Sequence, residues 1–292
     1  MVRREAGGRG EVKKHLSAFA IHFAIWLAVL FAVYPVLWVV SLAFSGDGGA
    51  PEPRVIPVPA HPGFGNFRAF LGFADDGGFG LFLTQLGNSL LVSLATAAVA
   101  IVIATPAAYA LARMPFVGKR SAMRVLLATQ MFPAVASAVP LYLLLETLHL
   151  LDSRAGLVLV YATTAIPFAI FQLRGTIETI PVDLEEAAMV DGATRLQAFV
   201  KVVLPAARPA IAVTALFAFM SAWNEFILAA TLLSRKSAFT LPIVLQSYVG
   251  EHAASWGTFA AGALLVSAPV MPLFYLVQRQ LVAGLTAGGV KG

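Results

Sequence analysis

The chain has 292 residues, of which 59% are hydrophobic and only 12% charged, and its mean hydropathy of +0.82 excludes an ordinary soluble domain. Its net charge of +5 comes from basic residues dispersed among loops, which indicates membrane anchoring rather than a nucleic-acid-binding face. Cysteine is absent and the five histidines show no ligand-pair spacing, so thiolate chemistry is excluded and no metal-binding residue is predicted.

The first part of the chain predicts two membrane-spanning helices. A polar tail at residues 1–15 precedes an apolar run from Leu16 to Leu42, which is too long for the core of a cleavable signal peptide and is interpreted as a retained span. Residues 45–86 are rich in glycine and proline and predict an irregular outer loop. The second span is expected at about 88–112, where Ser89, Ser93 and Ala97 form a ridge of small residues for close helix packing.

The middle of the chain predicts two spans interrupted by proline. The third, at about 125–145, contains Pro133 and Pro140, and the fourth, at about 157–173, contains Pro167. Proline kinks or breaks a helix, and a break in the membrane is tolerated where protein or a water-filled cavity receives the freed backbone groups. A translocation path and simple packing kinks explain these prolines equally well.

A polar stretch from Ile180 to Pro209 separates the fourth span from the fifth. It contains two helix-start signals, Asp183-x-x-Glu186 and Thr194-x-x-Gln197, each with a capping side chain three residues before a Glu or Gln. Gly192 lies between them, where a glycine in the left-handed conformation ends a helix. The pattern predicts two short helices with a bend at Gly192. From the residues alone, a docking surface for another protein and an amphipathic turn on the membrane surface are equally good interpretations.

The last two spans are expected at about 210–233 and 258–277, followed by a glycine-rich tail from Gly284 that should not be helical. Glu225 lies inside the fifth span, beside Trp223 and Asn224. A carboxylate at membrane depth is costly unless it is paired or faces water, so it indicates a translocation path. A structural hydrogen bond to a neighbouring helix is the alternative.

The distribution of Lys and Arg predicts the orientation. Alternate loops and the two tails carry fifteen of these residues on one side of the spans, against five on the other. By the positive-inside rule, both termini and the polar stretch should be cytoplasmic.

The spaced residues of the polar stretch resemble the EAA-loop signature of ABC-importer permeases. The matching residues are Glu186-Ala187-Ala188, Asp191-Gly192-Ala193, Phe199, Leu204-Pro205 and Pro209. The Trp-Asn-Glu-Phe segment at 223–226 and the terminal Gly-Leu-Thr-Ala-Gly-Gly-Val-Lys-Gly are similar to segments of sugar permeases, of the maltose/maltodextrin type above all. Residues 174–177, Arg-Gly-Thr-Ile, depart from the paired aromatics frequent in related permeases.

The resemblance implies an all-α integral membrane protein of the type I ABC importer fold, with six spans in a permease domain at 16–283 and a cytoplasmic EAA loop at 178–209. It implies a coupling contact with an ATPase, made by Glu185, Glu186, Ala187, Ala188, Asp191, Gly192, Leu204 and Pro205. Trp223, Asn224 and Glu225 would line the path, and Gly288, Gly289 and Lys291 in the cytoplasmic tail at 284–292 would reach the ATPase. The loop at 234–257 would face the binding protein.

The implied assembly lies in the bacterial cytoplasmic membrane. Its other members would be a second, larger permease of the MalF type, a homodimeric ATP-binding subunit of the MalK type, and a periplasmic or lipid-anchored sugar-binding protein. The chain itself would bind no cofactor and have no catalytic residue, because ATP and magnesium belong to the partner ATPase. Trehalose, another oligosaccharide and glycerol phosphate are alternative substrates to maltose and maltodextrin. An ion-coupled secondary transporter is the main alternative function, and a membrane-embedded enzyme is a weaker one.

Overall fold

The computed structural model describes residues 5–46, 55–59, 61–73, 78–250 and 254–288. Within these ranges the chain is all-α: it contains no strand and only two isolated β-bridges, Ser45 with Pro62 and Val249 with Ala254. The α-helices are α1 Glu5–Ala43, α2 Gly65–Phe70, α3 Gly78–Arg113, α4 Lys119–Met131, α5 Ala134–Thr147, α6 Arg154–Thr179, α7 Val182–Val190, α8 Arg195–Ala198, α9 Leu204–Trp223, α10 Ile227–Leu232, α11 Leu241–Gln246, α12 Trp256–Ser267 and α13 Val270–Gly288.

Five stretches of helix in the described ranges are long and apolar enough to cross a membrane: Ala18–Ala43, Gly78–Arg113, Arg154–Thr179, Arg195–Trp223 and Trp256–Gln278. A sixth is obtained only if α4 and α5 are counted as one crossing, although they are bent by 101°. The third span predicted at about 125–145 is therefore present as two helices that meet at a sharp bend, as its interior proline indicates. Pro133 causes the break, because it adopts an extended conformation between the two helices and donates no backbone hydrogen bond.

One compact unit of the chain comprises residues 1–75 and 248–265. Within it, Asn66 on α2 is buried, and its side-chain amide donates hydrogen bonds to the carbonyls of Ala43 and Ser45 at 3.2 and 2.6 Å. The ring of Phe44 packs against Phe67 with centroids 4.9 Å apart. This part of the predicted irregular outer loop is therefore folded. The sequence did not indicate it, because α2 has only six residues and its single buried polar side chain is satisfied by carbonyls more than 20 residues away.

The other unit comprises residues 76–247 and 266–292, and α3 is its central helix. Along α3, Ala100, Ala104 and Ala108 are fully buried where the helix packs against α6 and α9. Small side chains let helix backbones approach closely, which is the main source of helix association where lipid rather than water surrounds the protein. The predicted ridge of Ser89, Ser93 and Ala97 is buried in the same helix, which confirms its packing role.

The beginning of α3 anchors the segment before α11. Asn88 donates from its side-chain amide to the carbonyls of Ser237 and Phe239 at 2.8 and 3.0 Å. The Ser89 hydroxyl accepts a hydrogen bond from the backbone N–H of Leu241 at 2.7 Å. Residues 237–241, within the predicted loop at 234–257, are therefore held against α3 by its polar side chains.

An ion pair joins the turn before α6 to the segment after α10. Asp152, whose φ of 56° is left-handed, accepts hydrogen bonds from the backbone N–H groups of Ser234 and Arg235 and from the Arg235 guanidinium at 2.6 Å. Burial alone would raise the pKa of Asp152. The N–H of Ser234 and the charge and N–H groups of Arg235 outweigh burial and hold the pKa below its ordinary value of 3.8.

A pH dependence of stability follows from this ion pair. Because the folded protein lowers the pKa of Asp152, its stabilising contribution is complete above the unfolded pKa of 3.8 and disappears as the pH falls through the folded value. Replacing Asp152 by Asn should lower the melting temperature of the purified protein at neutral pH, and the difference from the unmodified protein should shrink in acid. Replacing the exposed Asp183 by Asn is the control; an equal shift there would contradict the assignment.

The last helix extends further than the sequence predicts. α13 continues to Gly288, so the prediction that the chain loses helical structure from Gly284 is wrong. Only one glycine, Gly284, lies in the interior of this part of the helix, and a single interior glycine costs about 1 kcal/mol relative to alanine. Leu285 and Ala287 are good helix formers and offset that cost.

Candidate functional site

The short helix α7 begins at a proline. Pro181 precedes its first residue with φ of −57° and ψ of 131°, and no side chain caps the helix. The predicted cap at Asp183 is therefore wrong, because Asp183 lies inside the first turn. There its carboxylate is next to the positive end of the helix dipole and favours the helix without ending it.

The bend at Gly192 is confirmed. Gly192 has φ of +90°, its N–H donates to the carbonyl of Met189, and the N–H of Ala193 donates to the carbonyl of Ala188. This pair of bonds satisfies the last carbonyls of α7 and requires a left-handed residue between them. The built position of a Cβ at Gly192 has no heavy atom within 4 Å, so the bend depends on backbone conformation and not on lack of space.

The second predicted helix start is confirmed as a capping box. The Thr194 hydroxyl accepts from the N–H of Gln197 at 3.3 Å, and the Gln197 side chain accepts from the N–H of Thr194 at 2.8 Å. The helix that begins here continues as a π-helical turn, Phe199–Val203, directly into α9. The two short helices therefore differ, because only α7 stands apart from a membrane-spanning helix.

Glu185 is the buried member of the predicted coupling residues. Its carboxylate, 4% exposed as a residue, accepts hydrogen bonds from the Tyr109 hydroxyl at 2.9 Å and from Arg113 Nε at 2.6 Å. Arg113 also donates to the carbonyl of Ile180, the residue that ends α6. Glu185 therefore holds α7 to the end of α3, and its charge is not available to a partner protein.

Sequence reasoning missed Tyr109 and Arg113. They lie four residues apart on one face of α3, an aromatic hydroxyl followed by a cation at a helix end, which was the only local signal. The Tyr109 ring also packs against Phe199 with centroids 4.5 Å apart, so the same residue contacts α7 and the π-helical turn that follows α8.

The remaining coupling candidates divide into an exposed group and a partly buried one. The exposed candidates are Glu186, Ala187, Asp191 and Gly192; together with the exposed neighbour Leu184, we call them the α7 surface. Ala188 is half-buried beside it. Leu204 and Pro205 are half-buried at the first turn of α9. The predicted set therefore does not form one continuous exposed surface.

Glu225 lies outside any helix. α9 ends at Trp223, and the Glu225 carboxylate accepts from the N–H groups of Leu228 and Ala229 in the first turn of α10 at 2.8 and 3.0 Å. It also accepts from the Tyr161 hydroxyl of α6 at 2.7 Å. The fifth span predicted at 210–233 therefore ends earlier, at Trp223, and the prediction that Glu225 lies inside it is wrong. The contact with Tyr161 agrees with the alternative that the sequence left open, a structural hydrogen bond to a neighbouring helix. The carboxylate satisfies the free N–H groups that the break creates, which is a sufficient structural reason for a Glu at this depth.

Trp223 and Asn224 have different surroundings from Glu225 and from each other. Trp223 is 2% exposed and stacks on Phe219. Asn224 is exposed and donates to the carbonyl of Met220. Both contribute to an apolar groove of about 680 Å³ between α9 and α13, whose other lining residues include Phe217 and Phe274. Asn224 is thus the most accessible of the three path candidates.

The structural role of Glu225 can be separated from a role in the path. Replacing Glu225 by Gln should lower the melting temperature, because one of its oxygens becomes an amide donor that faces the N–H groups of α10. Replacing Tyr161 by Phe removes one bond and should have a smaller effect of about 1 kcal/mol. In the uptake assay that the resemblance implies, both variants should keep the substrate preference of the unmodified chain. A changed preference with unchanged melting temperature would instead place Glu225 in the path.

The candidate tail contact lies only partly within the described residues. Gly288 is the last residue of α13, whereas Gly289 and Lys291 lie outside the described residues. Within the described part of the chain, no three or more His, Asp or Glu residues are grouped closely enough to hold a metal ion.

Comparison with known proteins yields one family. Residues 100–286 match the family described as binding-protein-dependent transport system inner membrane component. The chain is 38% identical to the trehalose transport system permease protein SugB of Mycobacterium tuberculosis, over 91% of this chain and 95% of that protein. It is 36% identical to the maltose/maltodextrin transport system permease protein MalG of Vibrio vulnificus, over 94% and 96% of the two chains.

A solved structure agrees with this result. A chain from a bacterial ABC transporter involved in the import of the acidic polysaccharide alginate superposes with a TM-score of 0.72. The two sequences are 26% identical, and the match covers 90% of this chain and 96% of the other.

Proposed function

We propose that this chain receives the motion of a separate ATPase at its α7 surface. The chain belongs to the family of binding-protein-dependent transport system inner membrane components and is a permease subunit of a sugar ABC importer. The observation that carries this proposal is the arrangement of α7. Its exposed face presents Glu186, Ala187 and Gly192, while Glu185 on the opposite face is buried against α3. A helix anchored on one side and bare on the other suits transmission of a rigid-body displacement.

The anchoring contacts connect α7 to two membrane-spanning helices. Glu185 binds Tyr109 and Arg113 at the end of α3, and Arg113 binds the carbonyl that ends α6. A displacement of α7 is therefore passed to α3 and α6 together. ATP and magnesium would be bound by the homodimeric ATPase, and this chain would have no cofactor of its own.

The second permease of the importer has a candidate contact on this chain. The groove between α9 and α13 is apolar, and Phe217, Met271 and Phe274 on its walls are each more than half exposed. A second permease would cover these side chains and close a sugar path beside Asn224. A periplasmic or lipid-anchored binding protein would deliver the sugar from the outer side, and both termini of this chain would be cytoplasmic.

The substrate we propose is a neutral oligosaccharide of the maltose/maltodextrin type, with trehalose as the main alternative. The names of two relatives support these two sugars, because one is called a maltose/maltodextrin permease and the other a trehalose permease. Asn224 offers an amide for pairing with sugar hydroxyls, and no charged side chain lines the groove that contains it.

ATP hydrolysis by the reconstituted importer tests this proposal. The chain would be assembled with its second permease, ATPase and binding protein, and hydrolysis measured with maltose, maltotriose or trehalose. Stimulation by maltose and maltotriose supports the proposed substrate. Stimulation by trehalose alone transfers the proposal to the alternative sugar. Sugar uptake that needs no ATPase would overturn the proposed coupling.

A further inference from the structure

A groove of about 840 Å³ opens between the first turns of α4 and Arg174 of α6, and neither α7 nor Glu225 contributes to its lining. Four cationic side chains line it: Lys119, Arg120 and Arg124 from α4, and Arg174 from α6. Phe116 and Met123 contribute apolar surface to the same walls. None of the functions discussed above uses this groove.

The positive charge of the groove is mostly uncompensated. Arg174 pairs with Glu178 at 2.8 Å, but within the described part of the chain no carboxylate pairs with the three cations of α4. The helix adds to the charge, because α4 begins at Lys119 after the left-handed Gly118 and its first N–H groups have no side-chain cap. Several like charges held together by the fold attract an anion.

Exposed apolar side chains continue from the groove along α4. Val117 next to the groove is completely exposed, and Leu127 and Met131, four residues apart on one face of α4, are 52% and 84% exposed. A soluble anion would satisfy the cations and leave this apolar surface in water. A molecule with an anionic head and an apolar tail matches both parts, and the bilayer that surrounds the spans is composed of such molecules.

We propose that this groove binds the phosphodiester headgroup of an anionic phospholipid, whose acyl chains lie along the exposed apolar side of α4. Lys119 and Arg124 contact the phosphate, with Arg120 and Arg174 at the rim. The lipid supplies the missing negative charge at the point where α4 turns towards the bent α5, and so holds this pair of helices in place. Lipid composition thereby affects the stability of the α4–α5 segment.

The test uses the assembled importer, delipidated and then exposed to equal amounts of phosphatidylglycerol and phosphatidylcholine. Retained lipids are counted by native mass spectrometry, with unmodified protein and with the double variant Lys119→Gln, Arg124→Gln. Two cations near a membrane surface contribute enough attraction that their loss should weaken phosphatidylglycerol binding roughly 30-fold. The control is Lys201→Gln, Arg208→Gln, which removes the same charge from two exposed positions outside the groove.

The proposal is supported if phosphatidylglycerol is retained in preference to phosphatidylcholine, is lost from the groove variant, and is kept by the control. Equal losses from both double variants would show general surface attraction and overturn it. Displacement of the lipid by excess inorganic phosphate would assign the groove to a free anion instead. If the groove variant no longer assembles with the second permease, the single variant Arg124→Gln is used, and unchanged lipid retention there also overturns the proposal.

Discussion

Replacing Gly192 by Asp is expected to abolish sugar-stimulated ATP hydrolysis by the reconstituted importer, while the permease still inserts in the membrane. Any side chain at φ of +90° is strained, and a left-handed residue costs about 1–2 kcal/mol. That cost is too small to unfold a bundle of long helices, but it falls on the bend that fixes the end of α7. The added carboxylate also projects into open space on the α7 surface, where the ATPase would dock.

The matched control is Gly192→Asn. Asparagine has the size of aspartate without its charge, and it is among the residues that tolerate the left-handed region best after glycine. It should retain more coupling than Gly192→Asp. Membrane insertion is checked by the amount of each variant in purified membranes. Normal sugar uptake by the Asp variant would refute the assignment of the α7 surface to the ATPase contact.

Replacing Glu185 by Ala is expected to lower stability and transport together. The change leaves Arg113, whose side chain is 10% exposed, without its carboxylate, and breaking a buried ion pair by removing one partner costs about 3–5 kcal/mol. It also frees α7 from α3, so movement at the α7 surface no longer reaches the membrane helices. Thermal melting and sugar uptake measure the two effects.

The neighbouring Glu186 provides the control, because it is exposed and has the same charge. Glu186→Ala should leave the melting temperature unchanged and weaken only the coupling to the ATPase. Removing both charges with Glu185→Ala and Arg113→Ala should recover part of the stability, since no buried charge is then left unpaired. Unchanged melting and uptake for Glu185→Ala alone would show that this ion pair does not hold α7.

These two variants distinguish the parts of the proposed mechanism. Gly192 acts where the α7 surface meets a partner, and Glu185 acts where α7 meets the rest of this chain. Suppose that Gly192→Asp abolishes coupling while Glu185→Ala leaves transport intact. The motion would then enter the permease through the α8–α9 helix instead. That helix is continuous through its π-helical turn and is the other connection of the polar stretch to the membrane.

The sequence by itself determined the features that depend on neighbours along the chain. Long apolar runs predicted the helical membrane class, because a backbone in lipid must satisfy its own hydrogen bonds. The Thr194 capping box and the bend at Gly192 were predicted correctly for the same reason: each involves groups within five residues of one another.

Only the tertiary structure decided what the buried charges do. Glu185 and Arg113 are 72 residues apart, and Glu225 and Tyr161 are 64 apart, so no local pattern reveals that either carboxylate is paired. The sequence placed Glu185 among the docking residues and left Glu225 between a translocation path and a hydrogen bond to a neighbouring helix. The long-range contacts bury Glu185 against α3 and pair Glu225 with Tyr161 of α6. A carboxylate away from water needs a partner, and which distant helix supplies it is settled by how α3, α6 and α9 pack together.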